Sequence, residues 1–133
     1  MKMKRTIVWQ AEVFTLIIPL DAGETFRAPV GFVFDPHEPF ILGSRVYPAG
    51  TDESACLLAA LEEAIFTYGV NPTDVCVRFG KEKVLEPLAA KAGFTLVLCD
   101  ELRELAAAKR ELVEQLRGAL SDETNQNARS AHA

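Results

Sequence analysis

The hydrophobic pattern of this chain changes period once, near Thr51, and that change limits the folds open to it. Before it, apolar and β-branched residues gather in three runs, "TIVWQAEVFTLIIPL", "RAPVGFVF" and "FILGSRVYP". Runs of this composition read as strands. The stretches between them, "DAGETF" and "DPHEP", are short and rich in turn formers, so the three strands form an antiparallel meander. Pro29 falls near the start of the second run, where a missing N–H is tolerated. After Thr51 the spacing becomes helical. "TDESACLLAALEEAIFTYG" repeats apolar residues at Leu58, Leu61, Ile65 and Phe66, with Thr51 or Asp52 as N-cap and Gly69 as stop.

The rest alternates strand and helix. "DVCVRF" has the β-branched, uninterrupted character of a buried central strand. "GKEKVLEPLAAKAG" places Val84, Leu85, Leu88 and Ala92 on one helical face. Pro87 within it predicts a kink, or a helix whose regular part starts near Glu86. "FTLVLC" is a fifth strand. Asp100 is the expected cap of "ELRELAAAKRELVEQLRG", whose Leu102, Leu105, Leu112, Val113 and Leu116 form an apolar stripe. "SDETNQNARSAHA" has no period and little apolar content, so residues 119–133 are expected to be a disordered tail behind a single domain at 1–118. The order β-β-β-α-β-α-β-α specifies an α/β (mixed α+β) fold. A meander followed by right-handed crossovers gives a mixed five-stranded sheet with helices on its faces. The competing arrangement is another α+β or Rossmann-like sandwich.

Composition excludes more than it identifies. The 133 residues carry a net charge of −5, against the basic surface usual in nucleic-acid binders. The one basic cluster, Lys2, Lys4 and Arg5, reads as a solvated end. Cys56, Cys76 and Cys99 are far apart, without a CxxC or a neighbouring His, as expected of reduced, buried thiols in a cytoplasm. No window approaches the ~18 uninterrupted apolar residues of a membrane span.

Two segments carry a family resemblance. "VWQAEV" is similar to the Trp-Gln-x-Asp first strand of DDE integrases and transposases. "GFVFDPHEPFILGSRVYP" resembles their next hairpin, a strand ending in Asp that turns and returns through an apolar-apolar-Gly strand. Over residues 6–118 the chain therefore resembles the ribonuclease H-like enzymes, a resemblance that implies the sheet order 3-2-1-4-5. It also resembles a family of uncharacterised bacterial domains with a similar Trp-containing strand and "LGSRVYP"-like return. The resemblance implies three metal-binding carboxylates: Glu12 on strand one, a residue at the end of strand four, and Glu104 or Glu111 on the last helix. Two-metal chemistry needs such groups to converge around cations about 3.5–4 Å apart.

At the strand-four position stands Arg78, in "VRFG". A guanidinium there repels Mg²⁺ and is suited to a bidentate pair with Glu12. The expectation is a degenerate site: no metal, no cofactor, no catalytic residue, and a Glu12–Arg78 ion pair. The chain then reads as a non-catalytic bacterial protein acting in the cytoplasm as a protein-binding or assembly module. Its partner is unknown, a second copy being one option, and the contact would use the last helix or a sheet edge. In the rival alignment the first helix supplies a glutamate, Glu62 or Glu63, so that Glu12, Glu63 and Glu104 hold Mg²⁺ in a divergent nuclease. A third reading, nucleic-acid binding without catalysis, is disfavoured by the acidic charge.

Other candidates have simpler explanations. Asp35 and His37 share the "DPHEP" turn, where an Asp ordinarily caps local N–H groups. His132 lies in the expected tail. Ser44 and Ser54 have no local His, and Gly80 with Lys81 is too little for a phosphate loop. Trp9 has the face to stack on a base, but on an apolar strand it reads as a core or interface anchor.

Overall fold

In the computed structural model the described backbone covers residues 6–131, and side chains are described up to residue 118 apart from those at 21 and 117. Lys2, Lys4, Arg5 and His132 lie outside the described residues. The strands are β1 (Val8–Pro19), β2 (Thr25–Asp35), β3 (Phe40–Val46), β4 (Asp74–Arg78) and β5 (Thr95–Cys99). The helices are α1 (Glu53–Tyr68), α2 (Glu82–Ala92) and α3 (Arg103–Ala131), and a single 3-10 turn, Asp21–Gly23, joins β1 to β2. The sheet order is β3-β2-β1-β4-β5. β1 pairs antiparallel with β2, and β2 with β3; β4 lies parallel to β1 and to β5. This is the mixed five-stranded sheet read from the sequence.

The alternation of side chains across the sheet divides the core into two layers. Trp9, Ala11, Val13, Val33, Val75 and Val77 pack on one face against Cys56, Leu57, Leu61 and Leu85 of α1 and α2. Phe14, Leu16, Ile18, Val30, Phe32 and Phe34 pack on the other against Leu102, which directly precedes α3, and Leu105 of α3, with Leu112, Val113 and Leu116 at its margin. Phe32 has no exposed surface and meets Phe14 edge-on, with ring centroids 6.2 Å apart. Burial of this kind contributes about 1.5–3 kcal/mol per large apolar side chain. Trp9, only 2% exposed, belongs to the core rather than to a stacking surface.

The local sequence accounts for most helix boundaries. Asp52 caps α1 by accepting from the N–H of Ala55 at 3.1 Å, and Gly69 closes it in the left-handed conformation at φ 62°. Of the expected face of α1, Leu61 is buried and Leu58 and Ile65 pack against the core, and only Phe66 departs. Cys56, Leu57, Ala60, Leu61 and Ala64 face the sheet, whereas Phe66 is 88% exposed. The small residues set this choice, because Ala60 lets α1 approach the backbone at Gly31 closely. A Cβ on Gly31 would lie 2.7 Å from that of Ala60.

Three other boundaries depart from the sequence reading. α2 starts at Glu82 and runs through Pro87, not from Glu86. The carbonyl that Pro87 leaves without an N–H belongs to Lys83, near the helix start and exposed to water. α3 starts at Arg103, two residues beyond the Glu101 that directly follows the expected cap, Asp100. At its other end the helical backbone passes Gly118 and continues to Ala131, where an aperiodic tail was expected. Extending an existing helix costs far less than nucleating one, and no proline interrupts the segment.

Candidate functional site

β1 pairs with β4 only over Val8, Trp9 and Gln10, in the register Gln10 opposite Cys76. Two residues further on, Glu12 and Arg78 occupy the same face, the one covered by α3. Arg78 Nη1 lies 3.6 Å from Glu12 Oε1, with the arginine side chain 58% exposed and the glutamate 15%. The two residues paired in the sequence reading are thus brought together. The bidentate geometry expected of them is not formed, because Arg78 ends β4 and extends into solvent instead of lying flat on the carboxylate. A single ionic contact with so exposed a partner is worth about 0–1 kcal/mol.

The groove over this pair has a volume of about 650 Å³. Arg78, Arg103, Lys109 and Arg110 line it together with Glu12, Asp100 and Glu101. Arg103 Nε is 3.2 Å from Glu101 Oε2, and Lys109 Nζ sits 4.8 Å above the ring of Phe14. Its lining is therefore a mixture of signs, unlike the one-sign stripe of a phosphate-backbone track.

The carboxylates of the rival alignment do not converge. Glu63 is on α1, across the sheet from Glu12, and its Oε2 is 3.1 Å from Arg45 Nη1 on β3. Glu62 also belongs to α1 and lines the groove between α1 and α2. The sheet itself separates them from Glu12, so Glu12, Glu63 and Glu104 cannot share one cation. Among the described residues no three His, Cys, Asp or Glu side chains are grouped to hold a metal ion. The residues present do not fit the two-metal centre that the resemblance implies.

Glu104 lies on the same face as Glu12 but is held elsewhere, by a residue whose role the sequence reading missed. Gln10 is the buried polar side chain of β1, 8% exposed. Its Oε1 accepts the N–H of Leu105 at 3.0 Å, and its Nε2 donates to Glu104 Oε2 at 2.9 Å. The carbonyl of Leu102 accepts from Ala106, so Leu105 is in the first turn, where N–H groups have no helical partner. Gln10 therefore caps α3 from the sheet, the task assigned to Asp100. The bond from Gln10 also holds the Glu104 carboxyl below its ordinary range. One available signal was an uncharged polar residue inside an apolar strand, which must find buried partners.

The remaining candidates are structural. Asp35 Oδ1 accepts the N–H groups of His37 at 2.9 Å and Glu38 at 3.4 Å, closing its own turn. Gly80 donates its N–H to Glu82 Oε2 at 2.7 Å, and Lys81 Nζ lies 3.4 Å from Glu53 Oε2. The three cysteines are unbridged. Cys56 is fully buried, but Cys76 and Cys99 are only partly so, at the edge of the layer under α3. Burial, with the Cys99 thiol beside it, pushes Cys76 up to about 11. Among the described residues no helix is long and apolar enough to cross a membrane. No protein-family model matches the chain, and no curated protein matches it in sequence.

Proposed function

We propose that this chain is a ribonuclease H-like domain whose strand-one and strand-four site has lost its metal, and that it acts in the bacterial cytoplasm as a non-catalytic protein-binding module. The observation that carries the reading is the 3.6 Å contact between Arg78 and Glu12. A permanent cation stands where the resemblance calls for a second carboxylate, and a divalent ion placed there would meet its repulsion without a second anion. The sheet order and the "VWQ" strand support the fold assignment. The placement of Glu63 across the sheet supports the loss of chemistry.

Thermal unfolding with added Mn²⁺ tests this reading. The melting temperature of the wild-type chain should stay constant, whereas Arg78→Asp should gain a rise. Ligand at a hundred times its dissociation constant stabilises the folded state by about 2.7 kcal/mol. A Mn²⁺-dependent rise in the wild-type chain that Glu12→Gln abolishes would refute the proposal.

A further inference from the structure

The two edges of the sheet are built differently. β3 carries Arg45, and its pairing with β2 shifts register between Val33 and Phe34. A charge and an irregularity are two of the devices that keep an edge from pairing with another chain. β5, at the opposite edge, has neither. Its sequence is "TLVLC", without charge or proline, and all five residues pair with β4 in unbroken register. Thr95 donates its N–H inward to Thr73. Backbone groups alternate sides along a strand, so those of Leu96 and Leu98 point to the outer edge. Leu98 is also 40% exposed.

We infer that β5 is an interaction surface and that its partner is β5 of a second copy, paired antiparallel about a two-fold axis at Val97. That axis sets Leu96 opposite Leu98 of the second copy, and Thr95 opposite Cys99 of the second copy. Each Leu96–Leu98 pair exchanges two backbone hydrogen bonds, and the symmetry supplies two such pairs. The strand matches itself: it brings apolar side chains against apolar side chains and sets no like charges opposite each other. Charge at its two ends selects the antiparallel direction. Lys91 is exposed in the last turn of α2, before β5, and Asp100 and Glu101 are exposed after it. Antiparallel pairing brings the acidic end of one copy to the basic end of the other, whereas parallel pairing sets acid beside acid. The inference rests on the proposed protein-binding role and names one partner for it. The Mn²⁺ titration reads Glu12 alone, so the two can fail separately.

Light scattering coupled to size exclusion, on the full chain from micromolar to submillimolar concentration, gives the test. The expected mass is twice 14.6 kDa. Leu98→Lys, which charges the edge, and Leu98→Pro, which removes an outward N–H, should each weaken the dimer by roughly tenfold or more. Phe66→Ser, on the opposite side of α1 from the sheet, should leave the dimer intact. Hydrogen exchange of the unaltered chain supplies a readout independent of folding by the variants: the Leu96 and Leu98 amides should slow as concentration rises. A monomer throughout the range, a dimer dissolved by Phe66→Ser, a dimer untouched by well-folded Leu98→Lys, or exchange at Leu96 and Leu98 independent of concentration would each overturn the inference.

Discussion

Replacing Gln10 by alanine tests whether the sheet itself caps α3. Gln10 is 8% exposed and joins two elements whose partners lie about ninety residues away: Leu105 donates to its Oε1 at 3.0 Å, and it donates to Glu104 at 2.9 Å. The alanine variant leaves the buried N–H of Leu105 without an acceptor, which costs about 1–3 kcal/mol. The lost stem leaves a small void between β1 and α3, bringing the total to about 2–4 kcal/mol. That is a large share of the ~5–15 kcal/mol that holds an ordinary domain together. The exposed Glu104 end adds little at neutral pH. Its sign is still fixed: a carboxyl whose folded value is lowered contributes stability above its unfolded value and loses it as pH falls. The gap between wild type and Gln10→Ala should therefore narrow on acidification.

Urea unfolding followed by the fluorescence of Trp9, the single tryptophan, reads these differences directly. Gln10→Glu sharpens the test. It keeps an acceptor for Leu105 but sets a second carboxylate against Glu104, so it should be destabilised at neutral pH and recover in acid as the pair shares a proton. A loss below about 0.5 kcal/mol in Gln10→Ala would refute the capping argument, since surface substitutions already range that far. Wild-type stability of Gln10→Glu at neutral pH would refute it equally.

Two further outcomes follow from packing and titration. Gly31→Ala should cost about 1–3 kcal/mol by overpacking, because its Cβ would lie 2.7 Å from Ala60 and 3.0 Å from the Cys56 carbonyl; an unchanged denaturation midpoint would count against the close approach of α1. With its thiol pushed to about 11, Cys76 should resist iodoacetamide in mildly alkaline buffer, and stability should fall as pH rises from the ordinary thiol range toward that value; rapid carboxymethylation of Cys76 in the folded chain, read by peptide mass mapping, would contradict it.

Much of the architecture was legible because its signals are local. A two-residue period, β-branched composition and short polar turns are properties of neighbouring residues, and they suffice for three antiparallel strands. The right-handed crossover then leaves little freedom for β4 and β5. The pairing of Glu12 with Arg78 came instead from the family resemblance, which sets both positions at one site; their 3.6 Å contact depends on the β1–β4 register, which no local signal carries. Periodicity failed where a large apolar residue outweighed small ones: Phe66 was assigned to the core but is 88% exposed, whereas Ala60 and Ala64 are buried and Ala60 makes the close approach to Gly31.

The sequence by itself determined the element order, the sheet topology and the sign of the charge at the strand-four position. Only the tertiary structure decided what the charges and polar groups do. It set Glu63 across the sheet from Glu12, turned Arg78 outward into a single 3.6 Å contact, and gave the cap of α3 to Gln10 in place of Asp100. Each of these depends on residues far apart in the chain meeting at one distance and angle. Periodicity specifies which face a side chain occupies, and packing alone specifies what it touches there.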